Sequence, residues 1–344
     1  MANEGLRAFR AHALYRALVA VTALGRRLPL PAARAIGRAL GWLAWHVARR
    51  ERTMALRHLA IAFPEQDEAS RHLTARAMFR HLGMSLLEIT WLPNVTDATR
   101  SITTTVEGFD RLQNLIDSGR GVVIFTAHCG NWEWLSYITG TFGRPVAVLQ
   151  RERSDPRMNR YITALRARAG VRTIDRGTPT ASRDMIRAIR SGGILAFVLD
   201  QNIRTESVKV PFFGRPALTP IGPVKFAIRT EAFVSAAFIE RRADGMQYAR
   251  FTEPVQCHRD DDPVALAARI TEEIEQQIRR VPEQWVWMHN RWRERPDWEV
   301  PPVIPNGGTA SVPLGAGMKQ VILSAEKDLK MQSRRRRDPS LRSG

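Results

Sequence analysis

One histidine in this chain has a glutamate close behind it, with a glycine and an asparagine between them. His128 and Glu133 are the ends of the segment His-Cys-Gly-Asn-Trp-Glu. A histidine near neutrality can take a proton from a hydroxyl group, and a carboxylate can hold its tautomer and stabilise the imidazolium that forms. Because this separation would splay the two side chains around a continuous helix, the pair predicts a loop that turns into a helix.

Other catalytic groups find little support in the sequence. There is no Gly-x-Ser-x-Gly nucleophile elbow and no His-Glu-x-x-His zinc motif. Cys129 adjoins His128, but neighbouring side chains at a strand end diverge, so a cysteine–histidine nucleophile pair is not expected. The residues therefore suit acid–base chemistry on a hydroxyl, although an isolated His–Glu pair is more often structural, and they indicate no zinc site.

The element that positions His128 is an apolar run that ends directly before it. Residues 121–127, Gly-Val-Val-Ile-Phe-Thr-Ala, have the β-branched and aromatic composition of a buried strand. Gly130 permits a tight turn, and Asn131 is a good N-cap for a helix that begins at Trp132. His128 is thus expected at the carboxyl end of a strand, where α/β proteins place their ligands.

The rest of the chain predicts an α/β core behind a helical N-terminal layer. Residues 5–95 show helical periodicity, and from Val106 short apolar runs alternate with helical patterns. The predicted strands are 121–127, 146–149, 193–199 and 232–239, and the predicted helices between them are 111–118, 155–169, 182–191 and 263–280. We expect an α/β/α sandwich with a central mixed sheet, preceded by an N-terminal helical layer that associates with the membrane.

Three parts follow from this pattern. We expect interfacial helices over 1–95, the α/β core over 96–300, and a mostly disordered basic tail over 301–344. The tail contains four consecutive arginines at 334–337. The two cysteines give no disulfide framework, which fits a reducing compartment.

Charge and helix pattern indicate an anionic partner. The 52 Lys and Arg against 34 Asp and Glu give a formal net charge of +18, which suits lipid headgroups, nucleic acid or acidic proteins. Ile36, Leu40, Leu43 and Val47 recur at helical spacing among arginines, as in a helix on a membrane surface or one that faces a core. The apolar run at 17–24 is shorter than the roughly 20 residues that span a bilayer.

Several motifs in a fixed order carry a family resemblance. They are Ala-Phe-Pro-Glu at 62–65, the block at 128–133, Leu-Asp-Gln-Asn at 199–202, Val-Pro-Phe-Phe-Gly at 210–214, and Pro-Glu-Gln-Trp-Val-Trp-Met-His at 282–289. From about Tyr15 to Pro296 the chain resembles the lipid A biosynthesis lauroyl/myristoyl acyltransferases, the late acyltransferases of Gram-negative bacteria. The spacing of His128 and Glu133 is the signature of the wider lysophospholipid acyltransferase superfamily.

The resemblance implies an activity, a mechanism and a location. A fatty acyl group would pass from acyl carrier protein, or from acyl-coenzyme A, to a hydroxyl of a lipid A precursor at the cytoplasmic face of the cell inner membrane. His128 would be the general base, and Glu133 would orient and charge-balance it. The acceptor oxygen would attack the thioester carbonyl directly, and positioned donors would meet the developing negative charge. The resemblance implies neither a metal nor a tightly bound cofactor.

Arginines are the first candidates for substrate binding. Arg151 and Arg166 resemble family positions, although the family usually has an aromatic residue and then Arg-Pro at the first of them. Arg168 could take the same role. Guanidinium groups suit phosphate or thioester oxygens because their donors are fixed and permanently charged. A solvated helix face is the alternative for each of them.

Three further candidates follow strands or lie in a loop. Asp200 comes directly after the run at 193–199, where its carboxylate could orient an arginine or cap a turn. Phe212 and Gly214 belong to a block that resembles the acceptor-site lining of the superfamily, or form an apolar, proline-rich loop.

Two other functions stay open. The same chemistry could act on another glycolipid, such as a phosphatidylinositol mannoside, or on a lysophospholipid, and the sequence does not distinguish these acceptors. A basic nucleic-acid-binding protein would suit the +18 charge and the tail arginines. No helix-turn-helix, zinc-finger or RNP motif supports that function, so no nucleic acid partner is expected.

Overall fold

Helices occupy the first part of the described chain, and strands begin only after them. The structure is a computed structural model that describes residues 16, 19, 22, 23, 25–151 and 156–294. The leading helices are α1 (Leu30–Val47), α2 (Arg49–Ala62), α3 (Glu68–Trp91) and α4 (Asp97–Thr103). The predicted N-terminal helices are therefore present.

Strands and helices alternate through the remainder. They are β1 (Thr104–Glu107), α5 (Phe109–Asp117), β2 (Val122–Thr126), α6 (Trp132–Thr141), β3 (Val146–Arg151), α7 (Pro156–Ala167), β4 (Val171–Arg176), α8 (Ala181–Arg190), β5 (Ile194–Val198), β6 (Ser207–Phe212), β7 (Arg215–Pro220), α9 (Gly222–Thr230), β8 (Phe233–Arg241), β9 (Gln247–Phe251), β10 (Val255–Gln256) and α10 (Pro263–Arg280). Every predicted strand and helix of the core falls on one of these elements. The sequence did not predict β1, β4, β9, β10 or the β6–β7 hairpin.

The main sheet is mixed, as expected. Its strands lie in the order β1-β9-β8-β2-β5-β3-β4, with β10 also paired to β8. The pairs formed by β2, β3, β4 and β5, and the β2–β8 pair, are parallel, whereas β9 and β10 run antiparallel to β8. The carboxyl ends of the parallel strands thus meet at one edge, where a crevice between β2 and β5 can hold a ligand.

Alternating side chains of the central strands bury both faces of the sheet. On β2, Val123 and Phe125 pack into a core that also contains residues of α2, α3, α8, α9 and α10. Val122 and Ile124 point to the other face and pack with residues of α5 and α6. Helices therefore cover both faces, and the α/β/α sandwich is confirmed.

The first helix packs against α3 through two glycines and exposes a stripe of large apolar side chains. A Cβ atom at Gly37 or Gly41 would lie 2.5 or 2.2 Å from backbone oxygens of α3, so glycine lets the two helices touch. The side chains of the predicted apolar stripe are exposed: Ile36 41%, Leu40 41%, Leu43 50% and Val47 69%. This stripe does not face the core. None of the described helices combines the length and the apolar character that crossing a bilayer requires.

Some sequence predictions concern residues that the structure does not describe. The tail at 301–344 lies outside the described residues, as does most of the apolar run at 17–24. The division of the chain into three parts at residues 96 and 301 remains a prediction.

Candidate active site

Strand register brings His128 beside Asp200. Thr126 at the end of β2 pairs with Val198 at the end of β5, so the residues two positions further along each chain emerge together. His128 Nδ1 lies 2.8 Å from Asp200 Oδ1, and the backbone N–H of His128 donates to Asp200 Oδ2 at 2.9 Å. Asp200, expected to orient an arginine or cap a turn, instead binds the histidine.

The carboxylate of Asp200 is buried and fully engaged by donors. Besides the two donors of His128, the indole N–H of Trp285 donates to its Oδ2 at 2.7 Å. Burial opposes the charged form, but the charge of His128 and these hydrogen bonds outweigh burial and lower the pKa of Asp200 to about 2. Asp200 is therefore ionised at neutral pH and acts only as an acceptor.

The hydrogen bond to Asp200 fixes the tautomer of His128. Because an ionised carboxylate can only accept, Nδ1 of His128 carries the proton and Nε2 of the neutral ring is unprotonated. Burial favours the neutral ring, but the charge and hydrogen bond of Asp200, followed by the charge of Glu133, leave the pKa of His128 raised above its ordinary value. The side chain is 23% exposed, so a substrate hydroxyl can reach it.

The turn after His128 has the geometry that its residues predicted. Gly130 has φ +66°, and a Cβ atom there would lie 1.8 Å from the carbonyl oxygen of Ile239, so both conformation and space require glycine. Asn131 caps α6 by accepting from the backbone N–H of Trp134 at 3.2 Å. Its amide also donates to buried Glu88 of α3 at 2.9 Å, which anchors the turn to the N-terminal helices.

Glu133 does not hold the ring of His128, which corrects the expected pairing. Its two carboxylate oxygens accept from Arg166, from Nε at 2.9 Å and from Nη2 at 2.6 Å. The resulting bidentate pair is nearly buried, with side-chain exposures of 11% for Glu133 and 12% for Arg166. The loop-to-helix turn directs Glu133 toward α7, and its remaining influence on His128 is through charge. The sequence signal for the carboxylate that contacts His128 was the position of Asp200 directly after a neighbouring strand.

Arg166 is the one predicted arginine that the fold brings to this group. Besides Glu133 it binds Gln150 Oε1 at 2.7 Å, and Gln150 in turn donates to Asp175 at 2.9 Å. Arg151 is exposed at the end of β3, in register with Arg176 of β4. Arg168 is exposed just beyond α7.

The block at 210–214 supports the site from behind. Phe212 is fully buried and packs at 5.7 Å between ring centroids against Trp285, whose indole binds Asp200. Gly214 lies at the tip of the β6–β7 hairpin with φ +69° and no neighbour within 4 Å of a Cβ position, so the turn conformation requires it. Phe212 thus packs behind the carboxylate that binds His128, and Trp285, which the sequence motif at 282–289 contains, contacts the same carboxylate.

Cys129 is not arranged for chemistry. It is buried and forms an isolated antiparallel bridge with the backbone of Trp285. Burial first, and then the negative charge of Asp200, raise the pKa of the thiol, which keeps it protonated. Within the described part of the chain no three histidine, cysteine or acidic side chains come together as a metal site.

An apolar cleft runs from the Glu133–Arg166 pair along the sheet, under α6. Its walls come from one face of β2, β3 and β5 and from α6, and include Thr126, Ala196 and Leu135. The cavity of about 60 Å³ has room for about four to six water-sized groups. Its polar mouth and apolar depth suit a linear hydrocarbon.

Sequence comparison shows which protein family the chain belongs to. The sequence model of the bacterial lipid A biosynthesis acyltransferase family matches residues 5–294. A lipid A biosynthesis palmitoleoyltransferase of Escherichia coli (strain K12) is 27% identical over 272 residues, which are 78% of this chain and 88% of that protein. A lipid A biosynthesis acyltransferase of Haemophilus influenzae is 28% identical over 280 residues (80% and 88%), and a phosphatidylinositol mannoside acyltransferase of Mycobacterium tuberculosis is 25% identical over 201 residues (56% and 61%). The chain belongs to the bacterial lipid A biosynthesis acyltransferase family and is an acyltransferase.

Proposed function

We propose that this acyltransferase moves a fatty acyl group from the thioester of an acyl carrier protein, or of coenzyme A, to a hydroxyl of a lipid A precursor, with His128 as general base. The observation that carries the mechanism is the bond between His128 Nδ1 and Asp200 at 2.8 Å. It leaves Nε2 as the basic atom and supplies a fixed negative charge for the imidazolium that forms.

The reaction balances on these groups. His128 Nε2 takes the proton of the acceptor hydroxyl while the oxygen bonds to the thioester carbonyl carbon. The tetrahedral intermediate collapses with cleavage of the carbon–sulfur bond, and the departing thiolate takes the proton from the imidazolium. Asp200 stays ionised throughout, because a pKa of about 2 makes it a poor proton acceptor. The role of Glu133 is to hold Arg166 beside the mouth of the cleft.

The apolar cleft supports an acyl donor. The Glu133–Arg166 pair and Thr126 lie at the carboxyl end of the strands, on the same side as His128, whereas Ile194 and Val146 line the opposite end. Ile194 and Val198 are four positions apart on β5, so the lining extends for roughly 13 Å along the strand. An acyl chain in the cleft would place its thioester at the strand ends, near His128.

The exposed stripe of α1 supports association with a membrane surface. Its apolar side chains have no core to pack on, and Trp42 and Arg38 are exposed on the same helix. Such a helix lies in the interfacial plane of a bilayer with its apolar side chains among the acyl chains. We propose the inner membrane as the location, which the likeness to enzymes named for lipid A biosynthesis supports.

The test is acyl transfer from radiolabelled acyl carrier protein to a lipid A precursor, for the wild type and for His128→Ala. We expect labelled product from the wild type and a loss of at least about 10²-fold in the variant, the contribution of a general base. A folded His128→Ala protein with wild-type activity would refute the site.

The acceptor is the second question that this assay decides. Since a relative similar over 56% of this chain is named a phosphatidylinositol mannoside acyltransferase, a phosphatidylinositol mannoside serves as the parallel acceptor. Labelling of that lipid alone would keep the chemistry and overturn the lipid A assignment.

A further inference from the structure

A second cavity lies at the start of α2. Its volume is about 540 Å³, within the range of small-ligand sites, and it is lined by Arg50, Glu51, Met54, Met288, Asn290 and Arg293. The charged lining residues come from two separate segments of the chain, the first turns of α2 and the stretch after Trp287. The cavity is separate from the apolar cleft, with which it shares no lining residue.

Positive charge is available in this cavity. Arg50 and Arg293 are exposed, and their guanidinium groups make no hydrogen bond or ion pair within the described part of the chain. Arg57 adds a third cation at the rim by donating to Asn290 Oδ1 at 3.2 Å. Guanidinium forks suit phosphate oxygens, which they can bind with two parallel hydrogen bonds.

The remaining lining suits a sugar better than a bare anion. Glu51 is a carboxylate acceptor in the same cavity, and it would repel a free phosphate but accept hydrogen bonds from hydroxyl groups. Met54 and Met288 provide apolar walls that can pack against a ring or a lipid linkage. Donors for phosphate, an acceptor for hydroxyls and apolar walls together fit a phosphorylated sugar.

One wall of the cavity belongs to the segment after Trp285, which contacts the backbone of His128. The backbone N–H of Val286 donates to the carbonyl of His128 at 3.2 Å, and His289 Nε2 accepts from the backbone N–H of Asn202 at 3.0 Å. His289 stands in the chain between two cavity residues, Met288 and Asn290, so the cavity wall and the contact with His128 belong to one short segment.

The other wall of the cavity follows the exposed apolar stripe of α1 along the chain. Val47, the most exposed member of that stripe, precedes α2 by a single intervening residue, Ala48, and Arg50 lies in the first turn of α2. The cavity is therefore built from one segment that follows the exposed apolar stripe along the chain and from another that contacts the backbone of His128. A lipid acceptor must reach both a bilayer and the catalytic base.

We propose that Arg50 and Arg293 bind the phosphate of a phosphorylated sugar headgroup on the lipid acceptor and thereby hold the acceptor on the enzyme, equally in the ground state and in the transition state. This proposal rests on the proposed function and assigns the cavity to the acceptor and not to the donor. Because one wall of the cavity directly follows the exposed apolar stripe of α1, a lipid is favoured as the occupant over the phosphopantetheine arm of a carrier protein.

The experiment measures KM for both substrates in Arg50→Gln, Arg293→Gln and the control Arg49→Gln, using the full chain. Arg49 is an exposed arginine on the same helix outside the cavity lining, so it controls for the loss of one charge. The acceptors are a phosphorylated lipid A precursor and the same lipid after phosphatase treatment. We expect each cavity variant to raise KM for the phosphorylated acceptor about tenfold, with kcat and the donor KM within twofold of wild type. The treated acceptor should show less than a twofold effect.

Several outcomes would overturn the proposal. An equal rise of KM for both acceptors, a rise of the donor KM in place of the acceptor KM, or a matching effect of Arg49→Gln would each remove the phosphate contact. Inorganic phosphate should compete weakly with the phosphorylated acceptor, and a tight, non-competitive effect would make the cavity a site for free phosphate instead.

Failure of the proposed function is distinguishable. If wild type acylates neither acceptor, binding to vesicles that contain the untreated or the treated precursor still tests the cavity. Weaker binding of Arg50→Gln and Arg293→Gln to the untreated vesicles alone would uphold it, and binding equal to that of Arg49→Gln would overturn it.

Discussion

Replacing Asp200 by asparagine tests the central feature of the site with little change in shape. The carboxylate accepts three hydrogen bonds, from His128 Nδ1 at 2.8 Å, from the His128 backbone at 2.9 Å and from Trp285 at 2.7 Å. An asparagine offers one oxygen and a donating amide group, so at least one buried donor faces another donor. The ring of His128 then loses both its fixed tautomer and the charge that stabilises its protonated form.

The expected loss can be estimated from these contacts. A positioned general base contributes about 10²–10⁴-fold, and replacement of the carboxylate behind a catalytic histidine by an amide costs about 10⁴-fold in the serine proteases. We expect a fall in the single-turnover rate of about 10³-fold, which is roughly 4 kcal/mol of transition-state stabilisation. The lost acceptor should also lower the free energy of unfolding by about 1–3 kcal/mol.

The pH dependence gives a second readout of the same variant. His128 must be neutral to act as a base, and its pKa is raised, so wild-type kcat/KM should fall as pH drops through a value above the ordinary histidine pKa. Removing the negative charge of Asp200 lowers that pKa, so the acid limb of Asp200→Asn should move to lower pH.

The assay is single-turnover transfer from radiolabelled acyl carrier protein, with circular dichroism to confirm folding. Single-turnover conditions isolate the chemical step from product release. A folded Asp200→Asn protein within fivefold of the wild-type rate, or with an unmoved acid limb, would refute the pairing of His128 with Asp200.

Three further predictions address the surroundings of the site. Glu133→Gln should lower the free energy of unfolding, measured by urea denaturation, by about 3 kcal/mol, because Arg166 would be left nearly buried without its carboxylate. A Glu133→Leu/Arg166→Met double variant should recover most of the lost stability. An equal loss in the double variant would argue against the ion pair. Ala196→Phe fills the apolar cleft and should reduce kcat/KM about tenfold for long acyl donors while sparing short ones, and an unchanged chain-length profile would exclude the cleft as the acyl site. Leu43→Glu should reduce the affinity for anionic vesicles, measured by co-sedimentation, roughly tenfold. Leu73→Glu, at an exposed leucine of α3, should leave that affinity unchanged. Equal effects of the two substitutions would show that the α1 stripe has no special role in membrane binding.

The sequence predicted the elements of the fold correctly where the pattern depends on neighbouring residues. The run at 121–127 has the composition of a buried strand, and the Gly130-Asn131 pair has the turn and capping chemistry that starts α6; both were confirmed because they depend on residues within a few positions of one another. The strand β1 escaped prediction because it is only four residues long, and the β6–β7 hairpin because the prolines within its strands argue against a strand.

The sequence by itself determined that His128 emerges from a strand end and that an ordered set of motifs surrounds it. It did not determine which carboxylate binds the ring, because Glu133 is near in sequence while Asp200 is near in space. Only the sheet decided this, through the pairing of Thr126 with Val198 that sets Asp200 beside His128 and leaves Glu133 to Arg166. The outward direction of the α1 stripe was likewise settled by packing, because Gly37 and Gly41 admit the backbone of α3 and so turn the apolar side chains away from it.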